Sequence, residues 1–361
     1  MSPPAPPAAA ASVPGAPAAD HAFPDVERFL RHEFEARALA AALGRGVIDR
    51  LARSAATIAA LAAETGLAPE RLALLLGLLA SGGVIAAAPD GTLALTPAFR
   101  AVLPCRDLLE AKLAFLDLVS DDLRRLFPAF IDDPERFLEQ ARTFELFRYD
   151  RCLVATPENC AATRPWVAYT TCLTRYEAGP ILDRLDLGAH RRLLDLGGNS
   201  GEFAARACAR APWLSATVVD LPVVCALGRD NLANRAEAAR VAFRPADMLR
   251  DRLPEGHDLV VFKSVLHDWP PREAADLVAR AAAAVAPGGR LVVAERGPMP
   301  FGTRPVDYAS AANLVFAPFF RDAAFYLEAF RRAGLVAVTA GTIDLDMPFH
   351  LVQGRKTGEP A

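Results

Sequence analysis

The sequence predicts an α/β fold: a seven-stranded, doubly wound sheet whose last strand is reversed, preceded by a small helical module. Two observations carry the sheet. From Arg192 onward apolar runs alternate with helical patterns, as in a parallel sheet covered on both faces, and they give the strands RLLDL, ATVVD, VAFRPAD, DLVVFKS, RLVVAE, LVAVTA and FHLVQGR. Helices fit between successive strands until the last pair. There the stretch from Gly341 to Pro348 is too short for a crossover helix, so the final strand is expected to run antiparallel to its neighbour. A third observation marks the ligand end of the sheet. In LLDLGGNSG, Leu193 to Gly201, a buried strand ends in an acid and a turn of residues that tolerate positive φ, and Glu202 to Arg210 opens a helix.

The 361 residues suffice for about two domains. Residues 1–19 are almost entirely Ala, Pro and Ser and are expected to be a disordered tail. Apolar residues recur at three and four from Phe23 to Leu43, which predicts an amphipathic helix. Helices around Gly46 to Arg53, Ile58 to Glu64 and Glu70 to Ser81 follow, then VIAAAPDGTLALT, a hairpin turning at Asp90-Gly91. Residues 20–105 therefore read as a winged helix-turn-helix. The chemistry argues against DNA: PERLALLLGLLASGG carries one basic residue, Arg71, and His21 to Cys105 sets eight arginines and no lysine against eight acidic residues. Its leucine faces read instead as a surface for a second subunit. Residues 106–165 form a helical, aromatic-rich linker and pocket region, and 166–358 the sheet domain.

A net charge of −3 gives no reason to expect a polyanionic partner. The six cysteines show no C-x-x-C pair and no histidine at ligand spacing, so no metal is expected; they read as reduced thiols of a cytoplasmic protein. No apolar run reaches the roughly 18 residues of a membrane span.

In such a sheet ligands bind beyond the carboxyl ends of the strands. Those ends supply Asp195 with Gly197, Gly198 and Gly201; Asp220 followed by Leu221; Asp247 and Met248; Lys263 and then His267-Asp268-Trp269; and Glu295. Acids converging on one cleft repel one another, which a cationic or hydroxyl-rich ligand relieves. Asp220 is placed to accept ribose hydroxyls. Asp268 is not expected to orient His267, because adjacent residues on a helix do not face each other.

The motifs DLGGNSG, VVDLP, ADM, FKSVLHDW and PGGRLVVAE, in this order, resemble the S-adenosylmethionine-dependent O-methyltransferases of the plant caffeic acid and bacterial polyketide type. The resemblance implies a Rossmann-like class I methyltransferase domain behind a winged-helix dimerisation domain, with S-adenosylmethionine as cofactor, no metal, and an aromatic small molecule as substrate. It implies that the glycine turn approaches the amino acid moiety, Asp220 holds the ribose, Asp247 and Met248 frame the adenine, and Lys263 contacts the carboxylate side. It makes His267 the general base and Glu295 its orienting partner. Trp166, Trp269, Asn313, Phe316 and Phe320 are candidates for the substrate wall. Phe320 stands where the family usually has a second carboxylate joining the histidine, which keeps C- or N-methylation open as an alternative. A cofactor-sensing regulator that uses the winged helix is a further one.

Overall fold

The computed structural model describes residues 32–299, 313–345 and 347–358. The tail expected over 1–19 and the first part of the Phe23 to Leu43 helix lie outside the described residues. The chain divides into two compact units, Met1–Leu103 and Pro104–Ala361.

In the first unit α1 (His32–Gly44), α2 (Val47–Arg53), α3 (Ile58–Thr65) and α4 (Pro69–Ser81) precede a hairpin of β1 (Ile85–Ala87) and β2 (Leu93–Leu95), and α5 (Pro97–Arg100) closes it. Thr57 caps α3 by accepting the Ala60 amide, Gly66 ends it in the left-handed region, and Pro69 starts α4. Asp90 accepts the Thr92 amide at 2.9 Å, which sets Ile85 opposite Leu95 across the turn. Ala42, Val47, Ile48, Leu51, Leu61 and Leu72 are fully buried, whereas Phe34 and Leu74 are 65% and 68% exposed. The leucine-rich α4 thus buries one face and leaves part of another bare.

The second unit begins with α6 (Arg106–Asp132), α7 (Pro134–Gln140), the 3₁₀ segments Arg142–Phe147 and Asp150–Leu153, and α8 (Pro157–Leu182). Buried Asp122 of α6 accepts the amides of Arg142 and Thr143 at 3.0 and 2.7 Å and so fixes the aromatic segment that follows. Pro165, next to the boundary expected between 165 and 166, lies inside α8, which continues through it. Thr163, Trp166 and Val167 around it are all buried, and their packing outweighs the one backbone hydrogen bond that proline removes.

The sheet is built from β3 (Arg192–Leu196), α9 (Glu202–Arg210), β4 (Ser215–Asp220), α10 (Pro222–Leu232), β5 (Val241–Pro245), β6 (His257–Lys263), α11 (Pro271–Ala284), β7 (Val285–Arg296), α12 (Ala323–Arg332), β8 (Val336–Asp344) and β9 (Pro348–Arg355). Its order is β5-β4-β3-β6-β7-β9-β8, and β9 runs antiparallel to both of its neighbours, as the short final connection predicts. β5 stops at Pro245, short of the expected Asp247, although the Ala246 amide still donates to the Asp220 carbonyl at 2.9 Å. Successive residues go to opposite faces: Leu193 packs with Ile181 and Phe203, Leu194 with Leu277 and Phe330. The winding reverses between β3 and β6, so the crevice opens beyond their carboxyl ends.

Candidate active site

The turn after β3 is shaped by close contacts. The Gly197 amide donates to the Val219 carbonyl at 2.8 Å, tying the turn to β4. At Gly198 a Cβ would lie 2.6 Å from the Asp195 carboxylate and 2.9 Å from Val218, so only glycine fits. Gly201 takes φ 73° and Asn199 φ 53°, and the Asn199 side chain accepts the Ser200 amide at 2.8 Å. Asparagine supports this backbone because its short polar side chain satisfies the turn locally.

Two backbone amides aim Asp220. Asn199 donates to its Oδ2 at 2.9 Å and Leu221 to its Oδ1 at 2.8 Å, while Leu221 itself is the N-cap of α10. Burial nevertheless lifts the Asp220 pKa to about 6 against those two bonds. Asp195 is buried, and its Oδ2 has no hydrogen-bond partner. Burial raises its pKa to about 7, with Lys263 pulling the other way.

His267 sits on a single 3₁₀ turn, Leu266–Asp268, just past β6. Its Nδ1 lies 2.7 Å from Glu295 Oε2, and Glu295 Oε1 accepts the amides of Val265 and Leu266, both at 2.6 Å. Burial pushes the Glu295 carboxyl up, but His267 and the two amides more than offset it and hold the pKa below its ordinary value. Burial likewise opposes charge on His267, yet the carboxylates of Asp268 and Glu295 prevail and raise the ring above its ordinary 6.5.

Asp268, not expected as the orienting partner, does not hold Nδ1, but it too lies near the ring. Its Oδ1 lies 3.4 Å from His267 Nε2, and Tyr149 donates to its Oδ2 at 2.6 Å. The turn that carries both residues is 3₁₀ rather than α-helical. Phe320 sets its ring edge-on to the imidazole with centroids 5.6 Å apart, so the position read as a missing carboxylate does abut the histidine. Beside it a cavity of about 740 Å³ is lined by Asp268, Trp269, Phe319, Phe320 and Arg321 among others.

The other sequence-assigned residues divide. Met248 reaches the glycine turn, its Cε 3.3 Å from where a Cβ on Gly197 would stand. Asp247 is partly spent on its own turn, accepting the Leu249 amide at 2.9 Å. Lys263 donates to Thr174 at 2.9 Å and pairs with Glu177, which Arg296 also holds. Trp166 is buried against Phe147 and Tyr149, and Trp269 stacks on Tyr149 with centroids 5.7 Å apart. Phe316 joins Phe115, Phe144 and Phe147 rather than the histidine, and Asn313 is half-buried at the start of the 3₁₀ turn Leu314–Phe319. His190 and His257 precede or begin β3 and β6, at the opposite end from the crevice. Sequence reasoning missed Glu177, a charge on the otherwise uncharged inner face of α8. It also left Tyr149 among the packing aromatics, because its partner Asp268 is remote in sequence. Among the described residues no cluster of His, Cys, Asp and Glu is arranged to hold a metal ion, and no helix is long and apolar enough to cross a membrane.

The O-methyltransferase domain family matches residues 171–311. The 8-amino-8-demethylriboflavin N,N-dimethyltransferase of Streptomyces davaonensis is 30% identical over 258 residues, which cover 68% of this chain and 70% of that protein. The chain belongs to the S-adenosylmethionine-dependent O-methyltransferase family. Within this family it is also similar to the 3-hydroxy-5-methyl-1-naphthoate 3-O-methyltransferase of Streptomyces sahachiroi, at 38% identity over 111 residues; that match spans 31% of this chain and only 32% of the relative. The crystal structure of human N-acetylserotonin methyltransferase in complex with S-adenosylmethionine shares the fold, with a TM-score of 0.68 at 20% identity, covering 93% of this chain and 99% of that one. The residues present suit the family's cofactor. Asp195 keeps one buried carboxylate oxygen without a partner, as a cationic group would require, and Asp220 presents a carboxylate aimed by two amides, as hydroxyl groups would require.

Proposed function

We propose that this protein transfers the methyl group of S-adenosylmethionine to a hydroxyl of an aromatic small molecule, with His267 as general base and Glu295 holding its tautomer. The observation that carries the reading is the His267 ring fixed through Nδ1 to a buried carboxylate at a strand end, with Nε2 on the side of Asp268. S-adenosylmethionine supplies an electrophilic methyl on a sulfonium with a neutral leaving group. The chain's own task is then placement and proton removal. Asp195, the Gly197–Gly201 turn, Asp220, Leu221, Met248, Asp247 and Lys263 bind and orient the cofactor, and well-oriented pairs reach effective molarities of about 10⁵ to 10⁸ M. His267 Nε2 takes the acceptor proton as the bond forms, worth about 10² to 10⁴-fold. Trp269 and Phe320, which line the cavity beside the histidine, provide apolar walls that exclude water and favour an aromatic acceptor.

Methylation of nitrogen is the second reading. It is favoured by Phe320 in the place of a carboxylate and by the N,N-dimethyltransferase relative, whose name assigns transfer to an amine. The test is incubation with S-adenosylmethionine and a panel of phenols, hydroxyquinones and aromatic amines, read by fragmentation mass spectrometry. Methyl on oxygen is expected; methyl on nitrogen or carbon alone contradicts O-transfer. A homodimer through the first unit belongs to the same reading, supported by the bare Leu74 and Phe34, and so does a reducing, cytoplasmic setting, supported by six free thiols.

A further inference from the structure

Arg321 has no part in the chemistry so far. It stands between the 3₁₀ turn Leu314–Phe319 and α12, with its guanidinium carbon 5.1 Å from the centre of the Phe325 ring. One of its terminal nitrogens donates to the Leu266 carbonyl at 2.8 Å and the other to the Trp269 carbonyl. Those two carbonyls bracket His267 and Asp268. On the amide side of the same turn, Glu295 holds Val265 and Leu266.

We propose that Arg321 is a positioning residue for the histidine: by bridging the carbonyls of Leu266 and Trp269 it closes the turn that carries His267, opposite the carboxylate that closes its amide side. A three-residue 3₁₀ turn has little stability of its own, because its hydrogen bonds are few and poorly directed. Its geometry must come from outside. The planar fork of a guanidinium spans two carbonyls at fixed separation, which the single ammonium of lysine cannot reproduce. Phe320, the preceding residue, packs on the imidazole, so one dipeptide sets both the backbone and the ring.

The test compares the full-length protein with Arg321→Met and Arg321→Lys. Proton NMR observes the His267 Nδ1 proton shared with Glu295, a readout that needs no turnover. Wild type is expected to give a sharp downfield resonance, lysine a broadened one, and methionine none, with thermal melts and S-adenosylhomocysteine affinity close to wild type. The rate readout rests on the methyl-transfer reading: kcat should fall about 100-fold in the methionine variant, as for a misplacement near 1 Å, with KM for the acceptor little changed. If wild type transfers no methyl group, that reading fails while the resonance still decides the role of Arg321. An unchanged resonance in the methionine variant overturns the proposal, as does loss of S-adenosylhomocysteine affinity in step with the resonance, which marks general disruption. Should the methionine variant not fold, a wild-type resonance in Arg321→Lys overturns it equally.

Discussion

Asp195 is a carboxylate enclosed by protein with one oxygen unpaired, and its raised pKa has a thermodynamic consequence. Its ordinary value is 3.8 and its folded value about 7, so between them the folded chain keeps a proton that the unfolded chain has lost. Stability therefore falls as pH rises through that window, and the loss is complete above the folded pKa. Asp195→Asn is expected to remove this part of the slope, so that its melting temperature relative to wild type climbs from pH 5 to pH 8. Stabilisation of wild type by S-adenosylhomocysteine should grow over the same range, as the ionised carboxylate meets the ligand's ammonium. Equal slopes in the two proteins would show that Asp195 titrates normally. His267, Glu295 and Asp220 were legible in the sequence because they stand at or just past strand ends. Glu177 and Arg321 were not, because their contacts join elements remote in sequence, which no spacing encodes.

Two elements make the site, and they differ in how far local sequence specifies them. The glycine turn is written in its residues: Gly198 has no space for a side chain, and Asn199 adopts a left-handed backbone while its amide, not its side chain, holds Asp220. Gly198→Ala is accordingly expected to weaken S-adenosylhomocysteine binding by at least about tenfold, since the new Cβ must displace either the Asp195 carboxylate or Val218. Asn199→Gly should leave affinity nearly unchanged, because glycine takes the same φ at no steric cost. Isothermal titration separates the two, and a large loss at Asn199→Gly would mean that its side chain touches the ligand. The turn carrying His267 is the opposite case. Its 3₁₀ form rests on Glu295 and Arg321 rather than on propensity.

At the scale of the molecule, the doubly wound sheet was readable because strand and helix periods alternate and the final connection is too short to cross over. The run of α8 through Pro165 was not readable, because a proline is a weak stop where both flanks are buried. The first unit's hairpin followed from its turn residues and its first four helices from apolar spacing and turns, and the exposed Leu74 and Phe34 predict association. Leu74→Glu should turn a dimer into a monomer in light scattering without lowering the melting temperature, and a wild-type monomer would rule that surface out. The central claim is that His267 removes the acceptor's proton. Single-turnover methyl transfer to a neutral phenol, followed against pH, tests it most directly. Wild type should gain rate as His267 loses its proton and then level off. His267→Ala should be slower by about 100-fold or more near neutrality and recover as the phenol itself ionises. A His267→Ala profile that overlies wild type would contradict the account.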